Sequence, residues 1–229
     1  MAPTSINIQG RAKLHKLAER AKLDISVSSS KYSQTEASKN VIEAINAVQT
    51  HLDQTLCPRL ENGDISTEAP VSFYSIGSLT TSNDDEYDDD HNKTGKRLYS
   101  ATCSLDVRFR DFKGLGDAVV KWASEPHVSL QGIEWLLTEE SQTALEEQAK
   151  LVALRHAISR AQGYADVIGR RTVTPVKIED TQYMFGEARV MQAARKMAST
   201  ASFGIGVGLD FEPQQVEVNA TLDVEFHAE

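Results

Sequence analysis

Leu145, Ala149, Ala153, Ala157, Ala161 and Ala165 recur at every fourth position. No other feature narrows the folds open to this chain so far. Residues four apart stack on one face of an α-helix. The row therefore marks one long helix over residues 141–168, with Gly169 as its C-terminal cap. Its contact face is almost wholly methyl groups, which lets the helix backbone lie close to a sheet or a second helix. A spacing of four also drifts around the axis, so Val152, His156, Tyr164 and Ile168 are expected to widen the stripe.

The strands to receive that helix are present. Val216, Val218, Ala220, Leu222, Val224 and Phe226 alternate with Glu217, Asn219, Thr221, Asp223 and Glu225. Period two with one apolar side means a half-buried strand, and one this regular is expected to pair inside a sheet. Residues 99–109 alternate in the same way, with Tyr99, Ala101, Cys103, Leu105, Val107 and Phe109 on one face, and residues 21–28 follow suit. Ile6 and Ile8 mark a short strand before Gly10. Residues 71–81 form another. Residues 128–138 change phase across Gly132, the mark of a bulge. Residues 173–183 carry Pro175, which places their start at an edge or an irregular entry.

Two shorter helices interleave. Ser33-Gln34-Thr35-Glu36 has the form of a capping box, followed by the stripe Val41, Ile45, Val48, Leu52 and Leu56 and a stop at Pro58. Asp111 caps a second helix with the stripe Phe112, Leu115, Val119 and Trp122, closed by Pro126. Residues 187–199 can form a further short helix. Neighbouring strands without a helix between them imply hairpins. The fold class is α+β: a mostly antiparallel sheet with helices packed on one face, in a single domain over 1–229. Residues 83–95, rich in acids, read as a mobile loop, and 182–212 as a divergent, flexible segment.

The chain of 229 residues is 40% hydrophobic and 25% charged, which supports a real core. Its net charge of -9 repels phosphate backbones and anionic lipid surfaces, so nucleic acid is not an expected partner. No run approaches the ~20 apolar residues of a membrane span. The first eight residues have no signal-peptide pattern, and Cys57 and Cys103 make no disulfide framework. Both point to a reducing cytoplasm.

A search for chemistry finds no catalytic set, and no cofactor or metal is expected. The acidic block 84–91 lacks the turn glycine and distal Glu of a calcium loop, and Gly95 stands at the matching position. The six histidines are scattered, with no His-x-x-x-His pair. Cys103 lies on an apolar face, unlike a nucleophile. Gly204-Ile205-Gly206-Val207-Gly208 neither follows a strand nor opens a helix, so it is no phosphate cradle. The polar sheet face remains, with Asp106, Arg108, Arg110, Asp223 and Glu225. It is either plain solvent-facing surface or a subunit or ligand surface. Tyr183, Phe185, Phe203 and Phe211, with Glu187 nearby, could cover a small-molecule pocket or pack their own segment.

The central run is the most distinctive. It reads Leu98-Tyr99-Ser100-Ala101-Thr102-Cys103-Ser104-Leu105-Asp106-Val107-Arg108-Phe109-Arg110-Asp111, then Leu115-Gly116-Asp117-Ala118-Val119, then Leu130-Gln131-Gly132-Ile133-Glu134-Trp135. With the alanine-rich helix and the final alternating strand, it resembles the SIMPL-domain family. The resemblance implies an α+β fold, homo-oligomers, and roles in protein association, signalling and stress defence, with no catalytic motif to carry over. Two readings follow: an oligomeric interaction protein, or a cofactor-independent enzyme or small-molecule binder whose pocket the divergent loops form. In the second, a polar residue such as Asp106, Arg108, Tyr183 or Glu187 would act.

Overall fold

The computed structural model describes residues 3–87, 92–180 and 209–229. In chain order these form β1 (Thr4–Leu17), β2 (Arg20–Lys31), α1 (Gln34–His51), a π-helical turn (Leu52–Leu56) and β3 (Val71–Ile76). There follow β4 (Thr80–Tyr87), β5 (Lys93–Phe109), α2 (Phe112–Ala123), β6 (Val128–Leu136), α3 (Glu139–Val167), β7 (Val173–Asp180) and β8 (Gln215–Ala228). The paired strands are antiparallel throughout, as the α+β reading expects. They divide between two sheets, one in each of two compact units.

One unit is built by the alanine row. Its sheet has the order β1-β8-β7, and α3 lies across β1 and β8. Ala149, Ala153, Ala157, Ala161 and Ala165 are all fully buried. The central three meet Ile8, Leu222, Val224 and Phe226 from the sheet. The approach is close because β1 has no side chain at Gly10. A Cβ there would stand 2.2 Å from the Ala153 carbonyl oxygen. The stripe does not widen as the drift argument expects. Val152 and Leu154 are half-buried, but His156, Tyr164 and Ile168 are exposed, because the three-stranded sheet buries only the alanine row and its nearest neighbours. Gly169, at φ 74°, caps the helix as foreseen, with Arg170 N–H donating to the Ala165 carbonyl at 2.9 Å.

The regular terminal strand β8 is the centre of this sheet, paired with β1 from Thr4↔Ala228 to Leu17↔Gln215. β1 is 14 residues long, far beyond the short strand expected before Gly10. β7 takes the outer position, where the missing N–H of Pro175 is tolerated, and its register shifts there.

The second unit holds β2 to β6, α1, α2 and residues 209–213. Its sheet runs β3-β5-β2-β6, with β4 also paired to β5. Leu23, Ile25 and Val27 of β2 and Leu105, Val107 and Phe109 of β5 form one buried face. Helix α1 packs on β2 and β5, and buries Val41, Ile45 and Val48. The two caps are those read from sequence. Ser33 accepts the Glu36 N–H at 3.4 Å, and Asp111 accepts from Lys113 and Gly114, each at 3.1 Å. The bulge is also present: Asp24 faces Gly132 and Ile25 faces Leu130, which leaves Gln131 as the extra residue. In α2, Gly116 admits the segment 209–213, since a Cβ there would lie 1.8 Å from the Leu209 carbonyl oxygen.

Candidate functional site

The polar residues singled out in the sequence belong to different sheets. Asp106 and Arg108 lie on β5 in the second unit, and Asp223 and Glu225 on β8 in the first. They do not form one polar face. Tyr183, Phe185, Glu187 and Phe203 fall outside the described residues.

On β5 the pattern is set by register. Lys22 faces Arg108 on one side and Glu134 on the other, while Asp24 faces Asp106. Two carboxylates directly across a strand pair repel. Lys22 offsets this, with its Nζ 3.2 Å from Asp24 and 3.5 Å from Glu134. Its pKa is raised, chiefly by the hydrogen bond to Asp24, which outweighs the opposing effect of burial, with the charges of Asp24, Asp106 and Glu134 adding to it. Arg108 lies 3.9 Å from Asp106 and over the Phe73 ring at 5.1 Å. Three carboxylates and two cations thus hold each other. Arg110, past the end of β5, donates instead to the Thr67 carbonyl and braces the loop before β3.

Glu225 sits in the middle row of the other sheet, between Asn7 on β1 and Lys177 on β7. It accepts from Ser5 Oγ at 2.9 Å, and Asp223 beside it accepts from Gln9 at 3.2 Å. Lys177 turns to Glu179 at 2.6 Å. The result is a shallow polar trough of about 440 Å³. Among the described residues, no three His, Cys, Asp or Glu side chains converge as a metal set would. Nor is any helix among them long and apolar enough to cross a membrane.

The feature that sequence reasoning missed lies in the acidic stretch read as a loop. Residues 83–87 continue β4, and 93–98 begin β5. Strand β2 ends its pairing with β5 at Lys31↔Tyr99. Beyond that point the sheet narrows to a two-stranded ribbon in which Asp84 faces Leu98, Asp85 faces Arg97 and Tyr87 faces Lys93. None of these ribbon residues is buried. A two-stranded hairpin alone is marginal in water, and this one is braced by charge. Asp85 meets Lys93 at 2.5 Å and Arg97 at 3.6 Å. Glu86 accepts from Tyr32 at 2.5 Å and from Thr94 at 2.8 Å, and Lys96 lies over the Tyr32 ring at 5.5 Å. The hydrogen bonds from Lys93 and Tyr32 hold the Asp85 and Glu86 carboxyls below their ordinary pKa values.

The charges are sorted by strand. Asp84, Asp85 and Glu86 lie on β4, and Lys93, Lys96 and Arg97 on β5. The signal for a strand was hidden because both faces are solvated. No apolar alternation is needed there, so none exists to be read.

Three other edge strands, β1, β6 and β7, carry blocking devices. On β1, the Arg11 N–H donates to His156 Nδ1 at 3.1 Å, and the Gln9 carbonyl accepts from Arg160 at 3.2 Å. On β7 the device is Pro175, and on β6 the bulge at Gln131. Each of these discourages pairing with a further strand.

These are two antiparallel sheets with helices packed on them, in an α+β protein. Residues 6–226, nearly the whole chain, match SIMPL, described as a protein of unknown function (DUF541), and the chain belongs to that family. No curated protein matches it.

Proposed function

We propose that this protein works by association, and that the β4–β5 ribbon joins it to a second copy of itself. The observation that carries this is the ribbon's separation of charge: an acidic strand and a basic strand side by side, exposed on both faces. The acidic edge of one ribbon is complementary to the basic edge of another. Strand addition there gives backbone hydrogen bonds to groups that otherwise face water. The guarded edges of β1, β6 and β7 support the same reading, because they narrow the open routes for strand addition to the β3 edge and the ribbon. The buried, unpaired Cys57 and Cys103 fit a reducing compartment such as the cytoplasm.

The test is the solution mass of the full chain by light scattering at rising salt. A discrete species above 25.2 kDa at low ionic strength, dissociating as salt screens exposed charges, is expected. A 25.2 kDa species at every salt and protein concentration would overturn the proposal.

A further inference from the structure

Helices α1 and α2 end beside one another in the second unit. α1 does not stop at His51 but widens into the π-helical turn, which sets Gln54 and Thr55 opposite Lys121 and Glu125 of α2 and its exit. Single π turns are rare and concentrate at functional sites. Between the two ends lies a trough of about 360 Å³, at the small end of the range for ligand pockets.

Three features of its lining call for a ligand. Lys121 stands in the last turn of α2, and Glu125 lies just past its C-cap Ser124, beyond the helix itself. Among the described residues neither charge is in an ion pair. His51 sets its ring edge-on to buried Trp122, with centroids 5.7 Å apart at 84°. Its Nδ1 is buried without a partner. Burial lowers the His51 pKa, Lys121 lowers it further and Glu125 opposes both, so the ring is neutral at pH 7. Finally, the C-terminal ends of both helices meet at the trough, and their carbonyls favour positive charge.

We infer that this trough binds a small zwitterion, an amino acid or close analogue with one ammonium and one carboxylate group. The ammonium lies toward Glu125 and the helix C-termini. The carboxylate lies toward Lys121, with the Thr55 hydroxyl and Gln54 amide as neutral donors. This site is separate from the ribbon and does not depend on the association reading.

The experiment is an amide NMR titration of the full chain with glycine, L-glutamine, L-glutamate, L-lysine and L-leucine, alongside acetate and ethylamine. Saturable shifts at His51, Thr55 and Lys121 are expected with at least one amino acid, and not with acetate or ethylamine at equal concentration. Lys121→Met and Glu125→Gln, both on the accessible helix end, should each weaken binding about tenfold or more while leaving the rest of the spectrum in place. The inference fails if no amino acid saturates these signals. It fails equally if acetate or ethylamine alone reproduces the shifts, or if both variants bind as the wild type does.

Discussion

Adding one methyl group at Gly10 should loosen the whole contact between α3 and its sheet. A Cβ at that position would lie 2.2 Å from the Ala153 carbonyl oxygen and 2.9 Å from the Ala157 Cβ. The first is about 1.2 Å inside the 3.4 Å at which ordinary contact begins. The obstacle is helix backbone, not the end of a flexible side chain, so the helix must lift by about 1 Å or the strand must bend. A radial gap of that size forfeits a quarter to a half of each dispersion contact along the row. Five alanines are fully buried there. Overpacking of a close interface costs about 1–3 kcal/mol, occasionally more, and removing a glycine from the unfolded chain returns about 0.4–1 kcal/mol. A net loss of about 1–2 kcal/mol is expected for Gly10→Ala. Gly163→Ala on the same α3 is the matched comparison, because a Cβ there meets nothing within 4 Å. It should stabilise by about 0.5–1 kcal/mol through helix propensity. Urea denaturation followed by circular dichroism separates the two. If Gly10→Ala costs less than about 0.5 kcal/mol, the size of an ordinary surface substitution, the close-approach argument is wrong.

Three further outcomes follow from the same physical account. Gly116→Ala should release residues 209–213 from α2, since the added Cβ falls 1.8 Å from the Leu209 carbonyl oxygen; limited proteolysis should find a new cut near that segment, and an unchanged digest would count against it. Cys57 and Cys103 are buried, and desolvation raises both thiol pKa values; a thiol reagent should label them at least about 100-fold more slowly in the native state than in denaturant, and rapid native labelling would refute this. The folded-state pKa of His51 lies below its ordinary 6.5, chiefly through burial. The unfolded chain takes up a proton there that the folded chain resists, so this contribution to stability is present above that pH and is lost as pH falls below it. His51→Gln should flatten the denaturation midpoint between about pH 7 and 5.5, and a slope identical to the wild type would contradict the assignment.

Wherever one side of an element is buried, its residues announce it. The alternation in β5 and β8, the capping box at Ser33 and the alanine row of α3 were all legible for that reason. The bulge beside Gly132 was legible as a change of phase. Length failed at β1, because Gly10 looks like a break and is in fact a point of close helix contact. The extent of the stripe on α3 failed because periodicity describes the helix alone and knows nothing of the width of its partner. The candidate sites were harder still. Asp106 and Glu225 share a pattern of outward-facing charge, but pattern does not say which sheet a strand joins. The ribbon has no buried face at all, and its charges are sorted by strand only once the register is known. The His51 trough depends on a π turn that shifts Gln54 and Thr55 off the ordinary helical positions, a departure no spacing rule contains.

The association reading is tested most directly by exchanging the ribbon's charges. One variant carries Lys93→Glu, Lys96→Glu and Arg97→Glu; the other carries Asp84→Lys, Asp85→Lys and Glu86→Lys. Light scattering should find the wild type as a discrete oligomer, each variant alone at 25.2 kDa, and a larger species again when the two are mixed. A wild-type monomer, or variants that keep the wild-type mass, would contradict it.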